Sequence, residues 1–208
     1  MSSSAIRVGD GGNVAVTGRV VRARPDGGAA TELATGLVLP AGITLDGSEV
    51  YFTTLGLGDC DGGGVATGTV ERVLPDGGGH AILAQGLDCP GQIAVHDTRV
   101  FWVTNSYGAG TVNVMQKDGS GRAALADKQP IPAGVVTDGV NVYWFNATVP
   151  TGTVLGCAIA KCAVASIGPS ELGPIAMAAD GANLFWADLG VPPKQPGTLH
   201  RVPLGLKP

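Results

Sequence analysis

The chain has 208 residues, 44% of them hydrophobic and 14% charged, with 34 glycines and 14 prolines. Its formal net charge of -4 argues against nucleic acid, which is held through Lys and Arg on phosphate, and no apolar run reaches transmembrane length. The glycines and prolines stand at fixed places between apolar runs, which is turn punctuation in a folded protein rather than low complexity.

In chain order, the first element is a degenerate run from Ile6 to Thr17, with Ala15 and Val16 near its end. Four fuller copies follow: Gly42 to Thr54 (GITLDGSEVYFTT), Gln92 to Thr104 (QIAVHDTRVFWVT), Gly134 to Asn146 (GVVTDGVNVYWFN) and Ala176 to Asp188 (AMAADGANLFWAD). Each is an apolar run, a polar turn and an apolar-aromatic run, which predicts two antiparallel strands, A and B. After each comes a Gly-Thr-Val-like run: Gly18-Arg19-Val20, Gly68-Thr69-Val70, Gly110-Thr111-Val112, Gly152-Thr153-Val154 and Gly197-Thr198-Leu199. Three of these lead into Asp26-Gly27, Asp76-Gly77 and Asp118-Gly119, dipeptides that supply the positive φ angles of tight hairpins. A last short run, such as Ala81 to Ala84, completes strands C and D.

Units of about 40 to 45 residues with four strands are the signature of propeller blades. The expectation is an all-β, five-bladed β-propeller of four-stranded antiparallel blades, a single domain with blades 5–36, 37–87, 88–129, 130–171 and 172–208. The last blade lacks its outer strand, because only six residues follow Val202. The aromatic pairs Tyr51-Phe52, Phe101-Trp102, Tyr143-Trp144 and Phe185-Trp186 are core in this frame: successive strand residues face opposite sides, toward both neighbouring blades. These segments resemble the propeller superfamily with YWTD-like and NHL-like repeats, over nearly the whole chain. Only Phe185-Trp186-Ala187-Asp188 carries the terminal Asp of that motif.

Four cysteines allow three pairings. In a propeller the B–C and D–A connections share one end, the top, where Cys60 and Cys89 fall; Cys157 and Cys162 flank a C–D turn at the bottom. A four-cysteine zinc site would need ligands from opposite ends to meet. The expected disulfides are therefore Cys60–Cys89 and Cys157–Cys162. Two disulfides point to a secreted or periplasmic protein. The opening Met1-Ser2-Ser3-Ser4 does not read as a signal peptide, and a cytoplasmic location is the alternative.

The longest top loop, Leu55 to Gly68, carries Asp59-x-Asp61-Gly62, and calcium favours several oxygens on such a loop. The Cys60–Cys89 bond brings it beside Asp88, while Asn105, Asn146 and Asp188 end their B strands on the same face. The expected metal set is Asp59, Asp61, Asp88, Asn105, Asn146 and Asp188; the competing reading is a solvated loop of self-capping aspartates. His96 falls in a bottom turn, His80 just past one, and His200 in the outer strand of blade five. No Gly-x-Ser-x-Gly elbow or phosphate loop is present. Arg19, Arg22 and Arg24 read as a solvated outer strand without stacking aromatics.

The architecture is also similar to gluconolactonase-like and paraoxonase-like propellers. That resemblance implies a calcium-assisted hydrolase of lactones or esters, N-acylhomoserine lactones among them, with Asp59, Asp61 or Asp188 as base. The inner-strand positions where those enzymes hold acidic ligands are Gly42, Gln92, Gly134 and Ala176 here. The second reading is a non-catalytic binding module of the cell envelope for a protein, peptide or glycan.

Overall fold

The computed structural model describes residues 6–7, 15–16, 18–57, 60, 65–106, 108–148, 151–168, 172–190 and 196–204. Among these residues every regular element is a strand. The chain forms two compact units, Met1–Gly91 and Gln92–Pro208.

In the first unit, β1 (Ile6–Arg7) pairs with β2 (Ala15–Val16), and β3 (Gly18–Arg22) pairs with β4 (Thr31–Leu37). A four-stranded antiparallel sheet follows in sequence order: β5 (Pro40–Asp46), β6 (Glu49–Thr54), β7 (Gly68–Val73) and β8 (Ala81–Leu87). The next sheet is β9 (Pro90–His96), β10 (Arg99–Thr104), β11 (Gly110–Gln116) and β12 (Ala123–Gln129). The rest of the second unit holds β13 (Pro132–Thr137), β14 (Asn141–Asn146), β15 (Thr153–Ala158) and the two-residue β16 (Ala165–Ser166). It ends with the three strands β17 (Pro174–Ala179), β18 (Asn183–Asp188) and β19 (Thr198–Pro203). These are the antiparallel A–B–C–D sheets of a five-bladed propeller, the last a three-stranded sheet among the described residues. Among the described residues the first blade is two separate pairs, β1–β2 and β3–β4.

The aromatic strands form the core. Trp144 is fully buried in a cluster with Phe101, Val103 and Val112 of the preceding blade, and Trp186 closes a second cluster with Tyr143, Phe145 and Val154. In the first unit, Phe52 packs with Val20, Leu33 and Leu37. Thus Phe52, Trp144 and Trp186, the second residues of their aromatic pairs, face the preceding blade, and the first residues Tyr143 and Phe101 face the other way, as strand alternation allows.

The blades are linked by a repeated clamp. A Cβ on Gly18, Gly68, Gly110 or Gly152, each opening a strand C or just before one, would collide with Pro40, Pro90, Pro132 or Pro174 respectively, the residue that opens the following strand A. The residue before each proline has a positive φ: Leu39 (52°), Cys89 (42°), Ile131 (54°) and Gly173 (69°). Backbone hydrogen bonds from the end of the next strand B, such as Ala147 N to Ile131 O and Leu189 N to Gly173 O, hold this left-handed turn.

Candidate functional site

Both expected disulfides are present, Cys60–Cys89 in the first unit and Cys157–Cys162 in the second, with Cα separations of 5.4 and 4.9 Å. The first ties the β6–β7 connection to the turn before β9, and Asp88 lies half-buried beside it. Asp59 and Asp61 lie outside the described residues. Asn105 is half-buried just past β10, whereas Asn146 and Asp188 are buried as the last residues of β14 and β18. Among the described residues no group of three or more His, Cys, Asp or Glu is gathered to hold a metal.

Strand register explains why those positions are polar. In blades two to five the last residue of strand B lies directly opposite the Thr of Gly-Thr-Val or Gly-Thr-Leu: Thr54 with Thr69, Thr104 with Thr111, Asn146 with Thr153, Asp188 with Thr198. All four pairs are hydrogen-bonded through their side chains, at 2.7, 2.8, 3.2 and 3.3 Å.

Two of these pairs extend to a histidine. In blade two, Thr69 Oγ1 donates to Glu71, whose other oxygen meets His80 Nε2. Glu71 is buried, and the His80 ring tilts against Phe52 at 5.9 Å. In blade five, His200 Nε2 sits 2.7 Å from Asp188 Oδ2 and 2.9 Å from Thr198 Oγ1, and its ring stacks on Trp186 at 4.9 Å. Residues 198 and 200 alternate onto one face of β19, which is what brings both to Asp188. The expectation for Asp188 as a rim carboxylate did not include this histidine. The signal was available: Asp at the end of strand B with Thr and His spaced i, i+2 on strand C.

Between blades three and four, Gln129 Oε1 at the end of β12 accepts hydrogen bonds from Trp144 Nε1 at 2.9 Å and Asn146 Nδ2 at 3.2 Å. Asn146 Oδ1, Asp188 Oδ1 and Trp186 Nε1 are buried without a hydrogen-bond partner among the described residues.

The second unit also carries a cleft of about 430 Å³ over β13 and β17. Its walls include Gln92, Val135, Phe145, Ile175, Ala176 and Met177, and none of its lining side chains is charged. Gly134 makes room for the Phe145 ring, since a Cβ there would overlap it.

No protein-family model and no curated protein matches this chain. Solved structures do. The chain is similar to a chain of the nidogen/laminin complex at 19% identity, over 89% of this chain and 73% of that one, with a TM-score of 0.66. It is similar to TolB from Acinetobacter baumannii at 10% identity, over 89% of this chain and 46% of that one, with a TM-score of 0.64. An oligogalacturonate lyase in complex with manganese aligns at 12% identity over 92% of this chain and 55% of that one, with a TM-score of 0.61. At such identities the likeness shows the β-propeller fold alone.

Proposed function

We propose that this β-propeller is an extracytoplasmic binding module that receives an apolar segment of a protein or peptide in the cleft over β13 and β17. The observation that carries this reading is the lining: aliphatic walls, Phe145 and Gln92, with no acid, base or nucleophile. A concave apolar site with few polar groups is the usual form of a recognition pocket. Its volume lies within the roughly 300–1,000 Å³ range of such sites. Two disulfides support an oxidising compartment. The test is an array of extended peptides probed with the wild-type chain and with Ala176→Arg, which fills the cleft from an exposed position. Retention of peptides bearing aliphatic or aromatic residues, lost in the variant, is expected. Retention that ignores Ala176→Arg sinks the reading.

A second reading, a calcium-assisted lactone or ester hydrolase, draws on the buried, unpartnered oxygens of Asn146 and Asp188 among the described residues. Oxygen acceptors of this kind suit calcium, and Asp59, Asp61 and Asp88 are the sequence candidates in the other unit. Calcium held at Asn146 and Asp188 would supply carbonyl polarisation and a more acidic water. Asp188 is the candidate base, held in place by His200 and Thr198. Turnover of N-acylhomoserine lactones that needs calcium and disappears in Asp188→Asn is the expected result of this reading; no turnover of any lactone or ester removes it.

A further inference from the structure

A groove of about 640 Å³ lies in the first unit, walled by Val20, Val21, Leu33, Ile43, Leu45 and Val50 and bordered by Arg22. Its origin is local. Ile93 and Val135, at the equivalent strand-A position of blades three and four, are 4% and 5% exposed, whereas Ile43 is 41% exposed and Leu45 is 72% exposed. In blade three, Phe101 and Val103 of strand B join the cluster that buries Val135 on the next strand A.

One end of this apolar groove is cationic. Arg22 also borders an adjoining hollow of about 370 Å³ with Arg24, Ala29 and Thr31. Arg19 pairs with Glu32, but Arg22 and Arg24 make no ion pair among the described residues, and both are exposed. Guanidinium groups recognise carboxylates through paired N–H donors, and their apolar stems continue the groove wall.

We propose that this groove binds a long-chain aliphatic carboxylate, with its tail along Ile43, Leu45 and Val21 and its head on Arg22 and Arg24. Complementary charge at the end of an apolar trough selects this class over a neutral or cationic chain. The site is separate from the cleft of the second unit, and its test is independent of that proposal.

The experiment is isothermal titration of the intact chain with hexanoate, octanoate and decanoate below their aggregation concentrations. One saturable site is expected, with affinity rising roughly fourfold per methylene. Arg22→Gln/Arg24→Gln should weaken decanoate about tenfold or more, as loss of charged hydrogen bonds does. Leu45→Asp, at an exposed position, should abolish binding while its circular dichroism stays that of the parent. Decyltrimethylammonium is the charge control and should not saturate. Absence of saturable decanoate binding, indifference to the arginine pair, or equal binding of the cationic chain each overturns the proposal. So does sedimentation showing that the groove is covered by a second copy, with a dimer that dissociates in Leu45→Asp.

Discussion

Gly110 lies against Pro132: a Cβ on Gly110 would stand 2.7 Å from both the proline Cγ and the Gln129 carbonyl oxygen. The two residues are 22 positions apart, as are Gly18 and Pro40, Gly68 and Pro90, and Gly152 and Pro174. Each pair joins strand C of one blade to the start of the next. Gly110→Ala is therefore an overpacking substitution at a joint made of backbone and a rigid ring, neither of which can yield. It should lower stability by about 1–3 kcal/mol, read as a lower urea midpoint. An unchanged midpoint shows that the joint can open without cost.

The disulfides should differ in effect because they close loops of different length. Cys60 and Cys89 are 29 residues apart, Cys157 and Cys162 only 5. Chain-entropy arithmetic gives about 3–4 kcal/mol for the first and about 2 for the second. Paired Cys→Ser variants measured by denaturant unfolding should keep that order. Reversal of the order means that native-state strain, not loop closure, governs the bonds. Free thiols by mass spectrometry in non-reduced protein remove both pairings.

How much of this was legible in the sequence follows from the range of each signal. Tyr51-Phe52, Phe101-Trp102 and Tyr143-Trp144 announce strands buried on both faces, because two adjacent aromatics must point in opposite directions. Gly-Thr-Val was visible as a strand. The task of its Thr was not, since that depends on which residue the hairpin register sets opposite it. The Asp188–His200 contact was hidden for the same reason. Ile131 in a left-handed turn runs against propensity, and a β-branched residue gives no hint of it. Only the proline that follows, and the parallel with Gly173, mark the site. The acidic loop was the least legible: Asp-x-Asp-Gly describes a turn equally well, and short-range pattern does not separate capping from ligation.

Asp138 should make stability depend on acid pH. Burial opposes its charge, but backbone N–H groups of Asn141 and Val140, the Asn141 side chain and the Tyr143 hydroxyl donate to it, and together they hold its carboxyl below the ordinary value. A folded-state value below the unfolded one means that the contribution is complete above the unfolded pKa and is lost as pH falls through the folded one. Asp180 repeats the arrangement through Ala182 and Asn183 N–H groups, also with a lowered pKa. Asp138→Ala should cost about 1–2 kcal/mol at neutral pH and flatten the fall in melting temperature below pH 4. A variant that keeps the parent's acid slope would assign that slope to other carboxylates.

Gln129 offers the sharpest separation of a polar contact from packing. Its Oε1 serves both Trp144 Nε1 and Asn146 Nδ2, two buried donors on one face of β14. Gln129→Leu keeps most of the side-chain volume but leaves the indole N–H without its acceptor. An orphaned buried donor costs about 1–3 kcal/mol, and the loss should appear as reduced stability. Gln129→Glu keeps the acceptor for both donors but loses the Nε2 bond that Gln129 donates to the Asp127 carbonyl, so it should recover part of that loss near neutral pH. Equal destabilisation of Gln129→Glu and Gln129→Leu would assign the effect to the Asp127 contact or to packing around Trp144 rather than to the shared acceptor. Near-native stability of Gln129→Leu would mean that the indole finds another acceptor, and that the bridge contributes little to joining β12 to β14.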